Sequence, residues 1–163
     1  MNRTKKLTTL GGAVLVGAMS VAWLSAPSLA QTQIQVLDRE GPYEKLVDVG
    51  RAGFSAGDVV LESHPLLAPV DESVVGRSFT RLTVMKVVRG GEDLVGILEF
   101  TARLSGGDVT AYGPVRFSDL FAPGGATFAV IGATGTYEGM TGSATAVATE
   151  TEGEFLITIH LIG

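Results

Sequence analysis

The chain contains no cysteine. Disulfides, thiolate metal sites and a lipid-modified cysteine are therefore excluded. It has only two histidines, His64 and His160. A metal would need carboxylates from several strands besides them, so no metal site is expected. The single tryptophan, Trp23, falls among the first 30 residues. Basic residues are also scarce: beyond residue 30 nine of them face 17 acidic ones, a net charge of −8. That balance disfavours nucleic acid and anionic membrane as partners. No nucleophile elbow is present, so Ser-His-Asp catalysis finds no support. Helical periodicity is missing beyond residue 30, apart from one turn expected near Tyr43 to Asp48.

Residues 1–30 read as a leader, and 31–163 as one domain. Arg3, Lys5 and Lys6 form a positive start, and Leu7 to Leu24 is uncharged and mostly apolar. Ser28 and Ala30 supply a small-x-small signal-peptidase site, which places cleavage before Gln31. The rival is an uncleaved anchor, because the apolar stretch approaches spanning length. Cleavage implies a secreted protein with no further membrane contact. A secreted domain without disulfides must be held by its core alone, and 133 residues suffice for one.

That domain reads as strands almost throughout. They are expected at roughly 31–37, 58–63, 75–88, 93–104, 109–117, 126–132, 142–149 and 154–162. Pro65 and Pro69 stop the second, and Arg89 to Glu92 makes a hairpin between the third and fourth. Short spacing implies antiparallel neighbours. Eight strands suffice to close an all-β, eight-stranded antiparallel barrel, and closure removes exposed edges. Such a barrel holds either its own side chains or one small apolar ligand. In the third strand Arg77, Phe79, Arg81 and Thr83 share one face, and Ser78, Thr80, Leu82 and Val84 the other. Most faces opposite the apolar ones are mixed, so alternation alone does not assign lumen and exterior. A homo-oligomer, dimer or trimer, would cover part of both.

Four glycines, Gly132, Gly135, Gly139 and Gly142, punctuate the run between the sixth and seventh strands. No phosphate-binding lysine follows and no helix begins there, so this is a barrel corner and not a nucleotide loop. The run from Ala129 to Gly142 resembles a segment of plant allene oxide cyclases. Leu37 to Pro42, Gly57 to Val60 and Tyr112 to Pro114 are similar to other segments of that family, in the same order. Val75 to Arg77 resembles a segment of dirigent proteins. Bacterial relatives of this barrel include spirotetronate cyclases, which catalyse a [4+2] cycloaddition. The resemblance implies a barrel that steers cyclisation or coupling of an apolar small molecule.

The cyclases' site residues transfer only in part. Their glutamate falls on Gln33 and a water-holding asparagine on Gln35, while Pro42 keeps their proline. A second water-binding asparagine falls on His64, and a pocket phenylalanine on Glu62. Glutamine cannot supply a carboxylate, so allene oxide is not the expected substrate. Gln33, Gln35 and Pro42 remain ligand-binding candidates by this resemblance.

The residues themselves offer further candidates. Glu62 and His64 sit two apart, so they share a strand face and could act as acid and base at a barrel mouth. The competing reading is an exposed turn pair before Pro65. Arg81 and Glu99 lie on consecutive strands and could polarise a ligand carbonyl, or form a surface pair of little worth. Phe79 shares the face of Arg81. Tyr112 could hydrogen-bond into a cavity or cover the wall. The expected function is cofactor-free cyclisation or isomerisation of an apolar secondary-metabolite or polyketide-like substrate, a [4+2] cycloaddition among the reactions. The alternatives are a secreted barrel that binds an apolar ligand unchanged, and a structural module whose side chains fill the barrel.

Overall fold

The computed structural model describes residues 30–41, 43–88 and 93–163. The leader expected at residues 1–30, except Ala30, together with Pro42 and the turn expected at Arg89 to Glu92, lies outside the described residues. Ten strands form among the described residues. In chain order they are β1 (Gln31–Arg39), β2 (Tyr43–Val47), β3 (Val59–Ser63), β4 (Pro65–Leu67), β5 (Val74–Val88), β6 (Asp93–Leu104), β7 (Gly107–Arg116), β8 (Ala126–Ala133), β9 (Thr141–Ala148) and β10 (Glu154–Ile162). β1, β4, β5, β6, β7, β8, β9 and β10 pair in that circular order, closing an antiparallel ring of eight.

Two segments differ from the sequence expectation. Tyr43–Val47 is a strand and not a helical turn. All its residues are exposed, so no buried face drives it. Its conformation comes from pairing with β3, which decides against a weak local preference. The second strand also continues past Pro65. β3 and β4 pair with β5 in one register, Glu62 opposite Thr80 and Pro65 opposite Arg77. Pro65 is the first residue of β4, a strand position that tolerates a missing N–H.

The inner face is assigned by burial. Ile157, Ile159 and Leu161 of β10 are buried, and their partners on β1 include Val36 and Ile34. The same face of β5 carries Ser78, Leu82 and Val84, and that of β6 carries Phe100 and Ala102. At one end the interior is solid: Val109, Val130 and Leu161 pack with Leu104, Tyr137 and Met140. At the other end the inner side chains surround open space.

Glycine permits two close approaches. At Gly96 a Cβ would lie 2.5 Å from the Thr83 carbonyl oxygen, beside the register shift at Val84 to Lys86. At Gly135 φ is +63°, and a Cβ would meet the Gly106 carbonyl. Gly135 opens a short 3-10 turn, Gly135–Tyr137, that joins β8 to β9. The glycine run is thus a barrel corner, as its spacing predicts.

Candidate functional site

The open end of the barrel holds a cavity of about 530 Å³. Its walls are apolar, from Leu82, Leu98, Phe100, Phe128, Ala144 and Ile157 among others. The volume suits one small ligand. It also removes the reading of a barrel filled by its own side chains. Phe117, Phe121 and Phe155 stand at the rim, with successive ring centroids 5.4 and 6.0 Å apart in edge-to-face contact. Phe117 and Phe121 belong to a 3-10 turn, Phe117–Phe121, that follows β7. Asp93 secures that turn by accepting the Ser118 backbone N–H at 3.1 Å and its hydroxyl at 3.2 Å. Arg116 adds an ion pair to Asp93 at 2.9 Å.

Glutamates and threonines of β2 and of the turn from β9 to β10 edge the cavity, and a hydrogen-bonded polar cluster enters it at the junction of β3 and β4. His64 occupies the junction and is buried. Its Nδ1 lies 3.2 Å from Asp38 Oδ1 of β1. Asp38 is buried too, and the Ser78 hydroxyl of β5 donates to the same oxygen at 2.9 Å. Ser78 also fixes the histidine backbone: its N–H donates to the His64 carbonyl at 2.8 Å, and its hydroxyl oxygen accepts the His64 N–H at 3.3 Å. Asp38 therefore holds the imidazole, and Ser78 holds both Asp38 and the His64 backbone. A carboxylate that accepts Nδ1–H sets the tautomer and leaves Nε2 for other work. Nε2 has no protein hydrogen-bond partner among the described residues.

The Asp38 hydrogen bond holds the His64 pKa above the usual histidine range, outweighing burial. Glu62, on the same face two residues away, also lines the cavity. Burial pushes its carboxyl above the usual glutamate range, and Glu44, Asp38 and Glu40 add to the rise. A carboxylate with a raised pKa is a stronger base. An imidazolium beside it is an acid and a hydrogen-bond donor. The pair can move protons or polarise a carbonyl.

The remaining candidates separate cleanly. Arg81, Glu99, Phe79 and Tyr112 belong to the outer face. Arg81 stands opposite Glu99, and Glu99 opposite Tyr112, but no ion pair forms between the first two. Arg81, Glu99 and Phe79 line an open outer groove with Tyr43 and Leu61, where β2 and β3 flank the barrel. Phe79 and Tyr112 are 40% and 43% exposed, and Arg103 stacks over the Phe79 ring at 5.2 Å. Gln33 and Gln35 also point away from the lumen, opposite His160 and Thr158. Pro42 lies outside the described residues. None of the described members of this second group lines the cavity. Asp38 and Ser78 are the groups that sequence reasoning missed. Their signal was faint: each is a polar residue on an otherwise apolar strand face.

The family described as "Allene oxide cyclase barrel like domain" matches residues 31–161. No curated protein matches the sequence. Among solved structures, one titled "Pyocyanin demethylase" is 23% identical, with a TM-score of 0.62 over 80% of this chain and 98% of its own. A Diels-Alderase from Streptomyces koyangensis is 13% identical, with a TM-score of 0.64 over 84% and 70%. A pterocarpan synthase dirigent protein is 18% identical, with a TM-score of 0.60 over 85% and 86%. At these identities the likeness is one of fold.

Proposed function

This chain belongs to the allene oxide cyclase barrel-like family, and from that premise we propose that it is a cofactor-free cyclase or isomerase of a small, largely apolar substrate. The single observation that carries the reading is the buried His64–Asp38 pair opening with Glu62 onto the 530 Å³ apolar cavity. The lumen holds a flexible substrate in a reactive fold, and pre-organisation of this kind lowers a barrier by roughly several kcal/mol. His64 Nε2–H donates a hydrogen bond to a substrate carbonyl and stabilises the charge that develops on its oxygen. Glu62, ionised, accepts a proton from an adjacent carbon where the cyclisation requires one. Cycloaddition needs only the first of these, so [4+2] chemistry is within reach of the site. The leader-like pattern of residues 1–30 supports a protein that works after export.

The test uses the exported domain, residues 31–163. It is incubated with linear polyene ketones, and products are sought at unchanged mass and altered retention. Turnover that disappears in His64→Gln supports the reading. Precursor recovered unchanged but co-purifying with the protein would replace the enzyme with a binding protein. Precursor neither bound nor changed would remove the lumen as a site for this class.

A further inference from the structure

The polar groups that touch the cavity divide by whether water or protein satisfies them. At the mouth Glu40, Glu44, Glu150 and Glu152 are exposed and meet water. Deeper in, most are matched within the protein. Asp38 is bonded to His64 and Ser78, and Glu154 to Arg39 at 2.6 Å. Thr149 donates to Glu154 at 3.0 Å, and Thr145 shares a hydrogen bond with Thr127 at 3.2 Å. Three groups remain that are withdrawn from bulk water and have no side-chain partner among the described residues. They are the Glu62 carboxyl, Nε2 of His64 and the hydroxyl of Thr80.

These three stand at one corner of the wall. Glu62 lies directly opposite Thr80 in the pairing of β3 with β5. His64 follows two residues after Glu62 on the same face and is bonded to Ser78, two residues before Thr80. His64 and Thr80 are therefore diagonal neighbours, with backbones about 7–8 Å apart. Polar heads rising from that spacing suit two oxygens of one ligand, each taking a hydrogen bond of about 2.9 Å. Glu62 adjoins both, so it faces the carbon between the two oxygens. Strand preference alone does not explain Thr80. Valine has the same shape and propensity, and would leave no unpartnered hydroxyl in an apolar lumen. Leu82 and Val84, next on that face, are residues of that kind.

We propose that Thr80 selects a second oxygen on the substrate, and that the lumen takes a β-hydroxy ketone. Its carbonyl accepts the His64 Nε2–H, its hydroxyl hydrogen-bonds Thr80, and the carbon between them faces Glu62. A simple ketone leaves the Thr80 hydroxyl without a partner and is disfavoured for that reason. This deepens the reading above and rests on it for the carbonyl contact alone.

Three ligands on one carbon skeleton test it by calorimetry on residues 31–163, which hold every described strand. They are 3-hydroxy-1-phenylbutan-1-one, its isomer 4-hydroxy-1-phenylbutan-1-one, and butyrophenone, which lacks the hydroxyl. The β-hydroxy ketone is expected to bind about tenfold tighter than the other two. Thr80→Val should level the three while leaving butyrophenone unchanged, which also shows that the variant folds. Thr80→Ser should keep the preference. His64→Gln should weaken all three alike and keep their order. Equal affinities in the unaltered protein, a preference that survives Thr80→Val, or no binding of the β-hydroxy ketone would each overturn the proposal. If Thr80→Val removes the preference while His64→Gln changes nothing, Thr80 stands and the carbonyl contact falls. Selective binding without turnover of any ketone removes the enzyme and leaves this selectivity in place.

Discussion

β5 presents two walls that differ by one position in the chain. Thr80 and Leu82 face the cavity, while Phe79 and Arg81 face the outer groove. Both walls carry charge and aromatic area. Inside, His64 is gripped by Asp38, Glu62 is pushed up by burial, and the phenylalanines enclose a volume. Outside, Arg81 and Glu99 stand in register without an ion pair, and Phe79 lies half open to water. The difference shows that residue type does not make a site. A charged group gains chemical leverage where water is excluded and its partners are fixed, and the inner wall alone meets that condition.

The comparison breaks most decisively at His64. His64→Gln keeps a polar side chain at the junction but loses the acid, and turnover should fall about 10²- to 10⁴-fold. An unaffected rate would mean that the inner wall holds no chemistry. Asp38→Asn should follow, at about 10- to 100-fold, because the imidazole loses its charged acceptor and the amide N–H favours the other tautomer. Here the rate alone is not diagnostic. The hydrogen bond that Asp38 accepts raises the His64 pKa, so the alkaline limb of the pH–rate profile should move to lower pH in this variant. A profile that falls in height but stays in place would assign Asp38 a purely structural role.

In the unaltered protein the sign of each limb follows from the shifts. Activity needs Glu62 ionised and His64 protonated. It should rise as pH climbs through the elevated Glu62 pKa, and decline as pH climbs through the elevated His64 pKa. Both limbs should lie above the ordinary values for these residue types. Glu62→Gln should erase the acid limb, which steady-state rates between pH 4 and 9, roughly the range of both groups, would reveal. The smallest effect belongs to the outer wall. Arg81→Gln and Glu99→Gln should each change rate and stability by less than about twofold in the relevant constants. A large loss of rate in either would move the site to the outer groove.

The fold was legible in the chain because period-2 alternation and glycine-marked turns are local signals. β5, β6 and β10 emerge near the boundaries that their patterns predict. β2 was not legible, since its exposed residues carry no pattern and only β3 makes it a strand. Continuation past Pro65 was hidden because proline reads as a stop, while its place at the first position of β4 makes it harmless. Of the candidate site, Glu62 and His64 were visible as neighbours two apart. Arg81, Glu99, Phe79 and Tyr112 were equally plausible from sequence, and the wall they belong to sets them apart.

The sequence by itself determined that this is a cysteine-free β protein of excess negative charge, and which residues of each strand share a face. Alternation is a property of the extended backbone and needs no partner. It does not say which face turns inward, because that depends on the closure of the whole ring. Only the tertiary structure decided it, by joining β1 to β10 and β5 to β6. The same closure brought Ser78 onto Asp38, 40 residues away, and Asp38 onto the His64 imidazole. It also gathered glutamates from four parts of the chain around a single opening. Proximity across strands is set by register, and no local feature of the sequence carries that information.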